Sequence, residues 1–388
     1  MTASYALLNT GRVIAGAGSL SQLPTLAAEL RAKRVLIVSD KGVAAAGLVE
    51  PARQALAKAG LAVQVIDNTP PEPDVRDTEG VLAAAREAGG ADLVVGIGGG
   101  SAMDVAKIVA VLLAHPTPTL VDMLKHKAPV PARGVPTVMV PTTAGTGSEA
   151  TPNSIILVPE DELKIGIVSP WLMPDAVILD PLLTLTLPKA VTASTGMDAL
   201  THAIECYCSK KGNPFSDLYG LEAIKLISRS LRTAWSDGRN VQARADMLLG
   251  AYYGGVCIAT SSTTAVHALA YPLGGKYRIA HGLSNAMLLP YVMSFNLEGN
   301  EPRFAAMARA MSLQVEGLSD RAAGENMIDA LYALNQDLGI ESRLRPFGVT
   351  DADLDGLVEG AAKVTRLLHN NPRPMSKTDM RAIYAQLM

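Results

Sequence analysis

One carboxylate and three imidazoles in the second half of the chain could together hold a metal ion. Asp198 and His202 lie four residues apart in DALTHAIE, a segment that predicts a helix. This spacing puts both side chains on one helical face, one turn apart. His267 follows in an apolar helical segment, and His281 lies at a predicted loop–helix junction. Four such nitrogen and oxygen ligands suit Fe²⁺, Zn²⁺, Ni²⁺ or Co²⁺ and leave a position for a substrate oxygen.

A simpler interpretation of these residues is also open from their spacing alone. An Asp–His pair four residues apart is more often a surface hydrogen bond, and a histidine on an apolar face is usually a hydrogen-bonded core residue. The chain has only six histidines, however, and three of them fall in apolar surroundings. This concentration favours the metal site.

A glycine-rich turn supplies a second candidate site. The apolar run LVVGI predicts a strand, and GGGSAMD after it opens a predicted helix. Gly98, Gly99 and Gly100 let the backbone approach a ligand closely, and the helix start at Ser101 offers free N–H groups to a phosphate. A plain strand–helix turn capped by Ser101 is the alternative. The motif is not GxGxxG, so the usual Rossmann fingerprint is absent.

A hydroxyl-rich loop and an acidic residue could complete a dinucleotide site. The run PTTAGTGSE closes another predicted strand, and Thr142, Thr143 and Gly147 offer hydroxyls and free amides to a nucleotide. Two such loops at the carboxyl ends of parallel strands favour a nucleotide crevice over exposed turns. Asp40 follows a third strand, where a carboxylate would bind a ribose diol and repel a 2′-phosphate. Unless it is an ordinary strand-end residue, Asp40 predicts a preference for NAD over NADP.

Two kinds of sequence pattern divide the chain into two predicted domains. Before residue 188, β-branched runs alternate with amphipathic stretches, which predicts parallel crossover units and an open α/β sheet. The predicted strands cover residues 34–39, 61–66, 91–97 and 135–140. Beyond Pro188 the pattern predicts only helices, the last of them over residues 353–367. We therefore expect an α/β domain over residues 1–187 and an all-helical domain over residues 188–388.

The composition of the chain excludes several classes of protein. With 388 residues, 48% of them hydrophobic and 18% charged, the chain can bury two sizeable cores. A net charge of −3 and a pI near 6.1 give no field that would attract nucleic acid or an anionic membrane. The first residues lack a signal-peptide pattern, and the three cysteines have no framework spacing. We expect reduced thiols and a cytoplasmic location.

Four segments of the chain resemble the iron-containing (group III) alcohol dehydrogenases. They are GGGSAMDVAK, PTTAGTGSEAT, TGMDALTHAIE and VHALAYPLGGKYRIAHGLSNAMLLP, and the similarity runs from about Arg12 to the C-terminus. The resemblance implies a Rossmann-like N-terminal domain with a parallel sheet, an all-α C-terminal domain and a deep cleft between them, in the dehydroquinate synthase-like fold. It also implies a homodimer or a larger homo-oligomer.

The resemblance assigns cofactors to the candidate residues. It implies iron, or in some members zinc or nickel, on the four ligands Asp198, His202, His267 and His281. It implies NAD or NADP along the two loops, and two further residues match positions that line the cofactor site in the family. The residues so implied for the cofactor are Gly98, Gly99, Gly100, Ser101, Thr142, Thr143, Gly147, Asn153 and Lys164.

One position departs from the family pattern. Many members carry a second histidine four residues after the third metal ligand, where it is thought to relay the proton, and here that residue is Tyr271. A phenol has a pKa of about 10, so it is a poor proton acceptor at neutral pH, although it can form hydrogen bonds. Tyrosine at this position also resembles the hydroxyacid–oxoacid transhydrogenases. Tyr271 is predicted to take part in the proton route, while the route itself and the substrate class stay open.

The sequence thus predicts a metal-dependent, NAD-linked oxidoreductase that interconverts a primary or secondary alcohol with an aldehyde or ketone. Three alternatives are open. The first is a glycerol dehydrogenase or dehydroquinate synthase of the same fold, although no basic pocket for the synthase's phosphate and carboxylate groups is visible. The second is a hydroxyacid–oxoacid transhydrogenase or a hydroxy-acid dehydrogenase. The third is a metal-assisted hydrolase or a nucleotide-binding protein without catalytic activity.

Overall fold

The computed structural model of the chain describes residues 4–161 and 163–388. Its Cα positions group into two compact units. The α/β unit comprises Leu8–Thr143 and Gly147–Thr186, and the helical unit comprises residues 4–7, Ala144–Thr146 and Leu187–Met388. The domain limits predicted from the sequence, 1–187 and 188–388, stay a prediction.

The strands of the described residues all lie in the α/β unit. They are β1 Arg12–Ala15, β2 Arg34–Val38, β3 Ala62–Ile66, β4 Leu93–Gly98, β5 Thr137–Pro141, β6 Asn153–Val158, β7 Leu163–Val168 and β8 Ala176–Leu179. Six of them form a parallel sheet in the spatial order β1-β8-β5-β4-β2-β3. β4 and β5 are buried along their whole length, because central strands of a parallel sheet are covered on both faces.

Helices cover both faces of this sheet. Those of the α/β unit are α1 Leu23–Glu29, α2 Lys41–Ala45, α3 Glu50–Lys58, α4 Val75–Glu87, α5 Gly100–Ala114 and α6 Leu120–Lys125. Leucines of α1 and α3 share one apolar core with Ile37 and Val95 of the sheet. On the opposite face, α5 lies so close to β4 that a Cβ on Gly96 would lie 3.1 Å from the Cβ of Ala106.

A short antiparallel hairpin departs from the parallel pattern that the sequence predicts. β6 pairs with β7 in the register Asn153 to Val168 and Leu157 to Lys164. Residues along β6 alternate between half-buried and buried, as expected for a strand that rests one face on a core. The hairpin carries Asn153 and Lys164, two of the residues predicted to bind the cofactor.

The helical unit contains the remaining α-helices of the described residues. They are α7 Lys189–Cys208, α8 Pro214–Ser236, α9 Val241–Ser261, α10 Ala265–Tyr277, α11 His281–Asn296, α12 Glu301–Ala310, α13 Asp320–Asp337, α14 Leu354–Ala362, α15 Thr365–Leu368 and α16 Lys377–Gln386. Beyond Pro188 the described residues contain no strand, as predicted. The continuous helix predicted over residues 353–367 is wrong, because Val364, with ψ of 51°, leaves the helical region.

These elements confirm the predicted fold class, a parallel α/β unit followed by helices. Across the described residues, no helix combines the length and the apolar character that crossing a bilayer requires.

Candidate active site

Helix α7 carries two of the four predicted metal ligands. Asp198 and His202 lie one turn apart on one face, as their spacing predicts. The side chains of His202 and Asp198 are only 6% and 3% exposed, so this is not a surface pair. His202 Nε2 lies 3.8 Å from Asp198 Oδ1, which is too far for a direct hydrogen bond. The two groups therefore face each other across a small gap.

Two neighbouring helices bring the other two predicted ligands to the same place. His267 lies in the first turn of α10, and His281 is the first residue of α11. Their Nε2 atoms lie 3.9 and 3.8 Å from Asp198 Oδ1. One ligand atom from each of the four side chains lies within 4.8 Å of the other three. Ligand atoms about 2.1 Å from a shared cation lie roughly 3–4 Å apart, so the spacing fits a divalent metal.

A glycine lets two of the ligand-bearing helices approach each other. Gly282 follows His281 in the first turn of α11, and a Cβ there would collide with the carbonyl group of Ser194 in α7. The same Cβ would lie 3.2 Å from the Cβ of Asp198. Any larger residue at position 282 would therefore push α11 away from α7 and separate His281 from Asp198.

Burial and charge set the protonation states of the ligands. Burial lowers the pKa of His202, so its ring is neutral at pH 7. Burial also raises the pKa of Asp198, but the three imidazoles and the Asn285 amide outweigh it, and the pKa of this carboxyl lies below its usual value. A neutral imidazole and an ionised carboxylate are the forms in which these groups bind metals.

Asn285 places a hydrogen-bond donor where the ligand lone pairs converge. Its Nδ2 lies 2.7 Å from Asp198 Oδ1 and 3.2 Å from the Nε2 atoms of both His267 and His281. The amide thus offers its two N–H donors to three ligand atoms that a cation would also contact. The buried Oδ1 of Asn285 has no hydrogen-bond partner among the described residues. This donor set, with its orphaned amide oxygen, fits a divalent metal ion.

Glu205, a buried residue that was not predicted from the sequence, forms a hydrogen bond with His267. Glu205 lies in α7, three residues after His202, and is fully buried. Its Oε2 lies 2.5 Å from His267 Nδ1, and its Oε1 accepts hydrogen bonds from Thr264 Oγ1 and Val266 N, each at 2.6 Å. Burial raises the pKa of Glu205, but His267 and the donors outweigh it, so this pKa is below its usual value. The spacing from His202 on one helical face was the only sequence signal.

Tyr271 lies one turn after His267 in α10. The centroid of its ring is 6.1 Å from that of His281. Burial raises the pKa of Tyr271, although Arg366 acts in the opposite direction. The phenol therefore keeps its proton at neutral pH and can donate a hydrogen bond there, but it is not a base. Its part in a proton route stays a prediction.

The predicted nucleotide loops begin at one edge of the sheet. Gly98 ends β4 in register with Pro141 of β5, and the N–H of Thr142 donates to the Gly98 carbonyl at 2.9 Å. After β3 the chain returns to the other side of β2 to form β4, so β2 and β4 flank a topological switch point. In open α/β sheets, the crevice outside such a point is where dinucleotides bind.

Two glycines form a cradle at the start of α5. Gly98 has φ of +157°, and a Cβ there would lie 2.8 Å from the Cβ of Ala102. Gly99 is the N-cap residue of α5, so the alternative in which Ser101 caps the helix is wrong. A Cβ on Gly99 would lie 3.6 Å from Thr143 Oγ1, a buried hydroxyl without a hydrogen-bond partner among the described residues. An orphaned hydroxyl beside the free N–H groups of a helix fits a phosphate or a ribose.

Asp40 caps a helix and also faces the glycine turn. Its Oδ1 accepts a hydrogen bond from Val43 N at 2.9 Å, at the start of α2. Its Oδ2 lies 3.3 Å from the position that a Cβ on Gly98 would take. The carboxylate thus lies at the mouth of the switch-point crevice, so a structural role and the predicted ribose contact are compatible.

A buried lysine ties the hydroxyl-rich loop to α5. Lys107 Nζ donates to Ser148 Oγ at 2.8 Å and to the carbonyl groups of Asn153 and Thr151 at 2.7 and 3.2 Å. Asp104, one turn earlier in α5, accepts a hydrogen bond from Ser148 Oγ at 2.5 Å. These bonds hold Ser148, Thr151 and Asn153 in a fixed position against the helix that starts at the glycine cradle.

The other predicted cofactor residues lie around the same loops. Lys164 Nζ donates to Glu72 Oε1 at 2.6 Å, and Ser101 Oγ accepts a hydrogen bond from Glu72 N at 3.2 Å. Gly147 has φ of +61° and allows the left-handed turn that precedes Ser148. Their binding of a dinucleotide stays a prediction.

Glu149 makes the stability of the hydroxyl-rich loop depend on pH. Burial raises the pKa of Glu149 from 4.5 to about 7, although Lys107 acts against it. Between these two values the folded chain retains a proton that the unfolded chain has lost, so the free energy of unfolding falls as pH rises. The difference between the two pKa values corresponds to about 3 kcal/mol.

The Glu149→Gln variant is expected to lose this part of the pH dependence. Urea unfolding of both proteins at a series of pH values measures the change. The wild-type free energy of unfolding is expected to fall more steeply than that of the variant between about pH 4.5 and pH 7. Equal slopes would show that Glu149 ionises in the same range in both states.

Comparison with known proteins identifies the family of the chain. Residues 10–181 match the iron-containing alcohol dehydrogenase model, and residues 192–388 match the C-terminal model of the Fe-containing alcohol dehydrogenase family. The chain belongs to the iron-containing alcohol dehydrogenase family. The resemblance seen in its sequence is thereby confirmed.

Members of this family cover nearly the whole chain. Long-chain-alcohol dehydrogenase 1 of Geobacillus thermodenitrificans (strain NG80-2) is 40% identical over 371 residues, which cover 95% of this chain and 93% of that protein. The crystal structure of a 1,3-propanediol oxidoreductase has a TM-score of 0.95 at 35% identity and covers 100% of both chains. The sulfoacetaldehyde reductase of Bifidobacterium kashiwanohense, in complex with NAD⁺, has a TM-score of 0.89 at 30% identity, with 100% of this chain and 99% of that chain covered.

Proposed function

We propose that this iron-containing alcohol dehydrogenase interconverts primary or secondary alcohols with aldehydes or ketones, using NAD and one divalent metal ion. The observation that carries the proposal is the convergence of four ligand atoms within 4.8 Å. Family membership supports the reaction class. The relatives are named for a long-chain alcohol, 1,3-propanediol and sulfoacetaldehyde, which supports an alcohol or aldehyde as substrate and leaves its length open.

The metal is proposed to bind Asp198, His202, His267 and His281. Asp198 provides a buried negative charge, and the three rings provide nitrogen ligands, a set that Fe²⁺, Zn²⁺ and Ni²⁺ all accept. Iron is proposed because of the family. A bound cation supplies Lewis-acid stabilisation to a substrate oxygen as its proton is lost. Gly282 keeps His281 close to Asp198, since any side chain there would push α11 away.

NAD is proposed to bind along the two loops of the α/β unit. The free N–H groups at the start of α5 are suited to the pyrophosphate, and Asp40 is suited to a ribose diol. Thr142, Thr143 and Gly147 are proposed to contact the cofactor from the second loop, and Asn153 and Lys164 from the hairpin. Bound NAD supplies the hydride acceptor for the carbinol carbon.

Two measurements on purified protein test the proposal. Elemental analysis is expected to find about one divalent metal ion per chain, as four protein ligands around one centre require. The absorbance of NADH is then followed with a panel of short alcohols, diols and hydroxy acids. NADH is expected to form with at least one alcohol, and removal of the metal with a chelator is expected to stop it.

Other outcomes separate the alternative functions. Binding of metal and NAD without NADH formation from any substrate would favour a hydrolase or a nucleotide-binding protein. Exchange between a hydroxy acid and an oxo acid without added NAD would favour a transhydrogenase, which keeps its nicotinamide bound.

A further inference from the structure

We infer that Glu205 is a positioning residue that fixes the tautomer of His267 and so keeps the Nε2 lone pair of this ring available to a metal. The inference rests on the metal site proposed above. The tautomer of His267 in the metal-free protein can be measured without any turnover.

The contacts of Glu205 define which of its oxygens accepts which hydrogen. Oε1 receives two donors, the hydroxyl of Thr264 and the N–H of Val266, both at 2.6 Å. Oε2 faces His267 Nδ1 at 2.5 Å. An ionised carboxylate only accepts hydrogen bonds, so His267 must donate from Nδ1. A neutral ring that carries its proton on Nδ1 has its lone pair on Nε2.

A second contact on the far side of the ring agrees with this assignment. The Nδ2 donor of Asn285 lies 3.2 Å from His267 Nε2 and 2.7 Å from Asp198 Oδ1. The amide has two hydrogens for Asp198, His267 and His281, so this contact is compatible with an acceptor at His267 Nε2. Glu205 thus selects the Nδ1–H tautomer, and the Asn285 contact on the other side of the ring is compatible with it. A carboxylate behind a histidine ligand fixes ring orientation and raises ligand basicity.

Replacing Glu205 with glutamine reverses this selection without changing the shape of the side chain. The two donors, Thr264 and Val266, hold the amide oxygen at the position of Oε1, because an amide NH₂ there would face two other donors. The NH₂ group of the glutamine then points at His267 Nδ1, which must accept its hydrogen bond. A ring with one proton then carries it on Nε2, and the lone pair that would bind the metal is lost.

The Glu205→Gln variant tests the inference by two measurements on metal-free protein. The ¹⁵N shifts of the histidine side chains are recorded, and His267 is assigned by the signal that disappears in His267→Ala. Wild type is expected to show the Nδ1–H tautomer, and the variant the Nε2–H tautomer. The dissociation constant for Zn²⁺ alone, measured by competition with a chelator, is expected to rise roughly 10–100-fold in the variant.

The matched control is Glu222→Gln, which removes a carboxylate from an exposed pair with Lys225 on α8. It is expected to change neither the tautomer nor the Zn²⁺ dissociation constant. A lower thermal midpoint of Glu205→Gln with an unchanged tautomer and unchanged Zn²⁺ affinity would reduce Glu205 to a structural residue and overturn the inference.

If Glu205→Gln does not fold, measurements on the metal-free wild type alone still test the inference. An Nε2–H tautomer of His267 in the metal-free wild type would contradict it directly. Failure of the wild type to bind Zn²⁺, together with the Nδ1–H tautomer, would instead count against the proposed metal function and leave the role of Glu205 in setting the tautomer intact.

Discussion

The His267→Ala variant is expected to reduce NAD roughly 10³-fold more slowly than wild type, or not at all, since Lewis-acid stabilisation is worth several kcal/mol. Its metal content is expected to fall as well, because the ring offers Nε2 to the cluster, 3.9 Å from Asp198 Oδ1. Alanine also leaves the buried carboxylate of Glu205 without its imidazole partner. An unpaired buried group of this kind costs about 1–3 kcal/mol or more, so the variant is expected to be less stable too.

Steady-state kinetics with the best alcohol of the panel, together with elemental analysis of the purified protein, checks this prediction. His126→Ala is the matched control, because the side chain of His126 is 70% exposed and its ring pairs with Asp122, away from the ligand cluster. The control is expected to keep its kcat and its metal. Wild-type kcat and metal content in His267→Ala would refute the assignment of His267 as a ligand.

The Asp40→Gly variant is expected to shift the ratio of kcat/KM values for NAD and NADP roughly 10²-fold toward NADP. A 2′-phosphate carries about two negative charges, and a carboxylate beside it would repel it by several kcal/mol at an effective dielectric constant near 20. Asp40 is only half-buried, so solvent reduces this figure. The position of Oδ2 beside Gly98 is the structural basis of the expectation.

Asp40→Asn separates the charge of Asp40 from its capping role. Asparagine can still accept the hydrogen bond from Val43 N, so α2 keeps its cap, whereas glycine loses the side-chain bond. Both variants are expected to relax the discrimination against NADP, and only Asp40→Gly is expected to lose some stability. An unchanged NAD/NADP ratio in both variants would show that Asp40 does not discriminate.

The strands that could be predicted from the sequence are those that carry a continuous run of apolar residues. β2, β4 and β5 were predicted because buried parallel strands carry unbroken apolar runs. β1 and β8 were missed, since four residues are too few to show a period, and β1 is also largely exposed. The hairpin of β6 and β7 was missed although Pro159 and Asp161 are turn residues between its strands, because its two apolar runs are short and follow directly on the polar loop.

In the candidate site, too, only residues that lie close together in the sequence could be paired in advance. Asp198 and His202 could be paired from the sequence because they lie on one turn of one helix. Glu205 and Asn285 could not be placed, since their partners are His267 and Asp198, 62 and 87 residues away. The sequence around a buried polar residue in a helix does not indicate which distant group will become its hydrogen-bond partner.

Helices α10 and α11 both begin at the ligand cluster, with His267 in the first turn of one and His281 at the first position of the other. The positive ends of two helix dipoles therefore meet at the same point, and the buried carboxylates of Asp198 and Glu205 offset them. The two helix starts therefore lower the cost of keeping these two carboxylates ionised away from water.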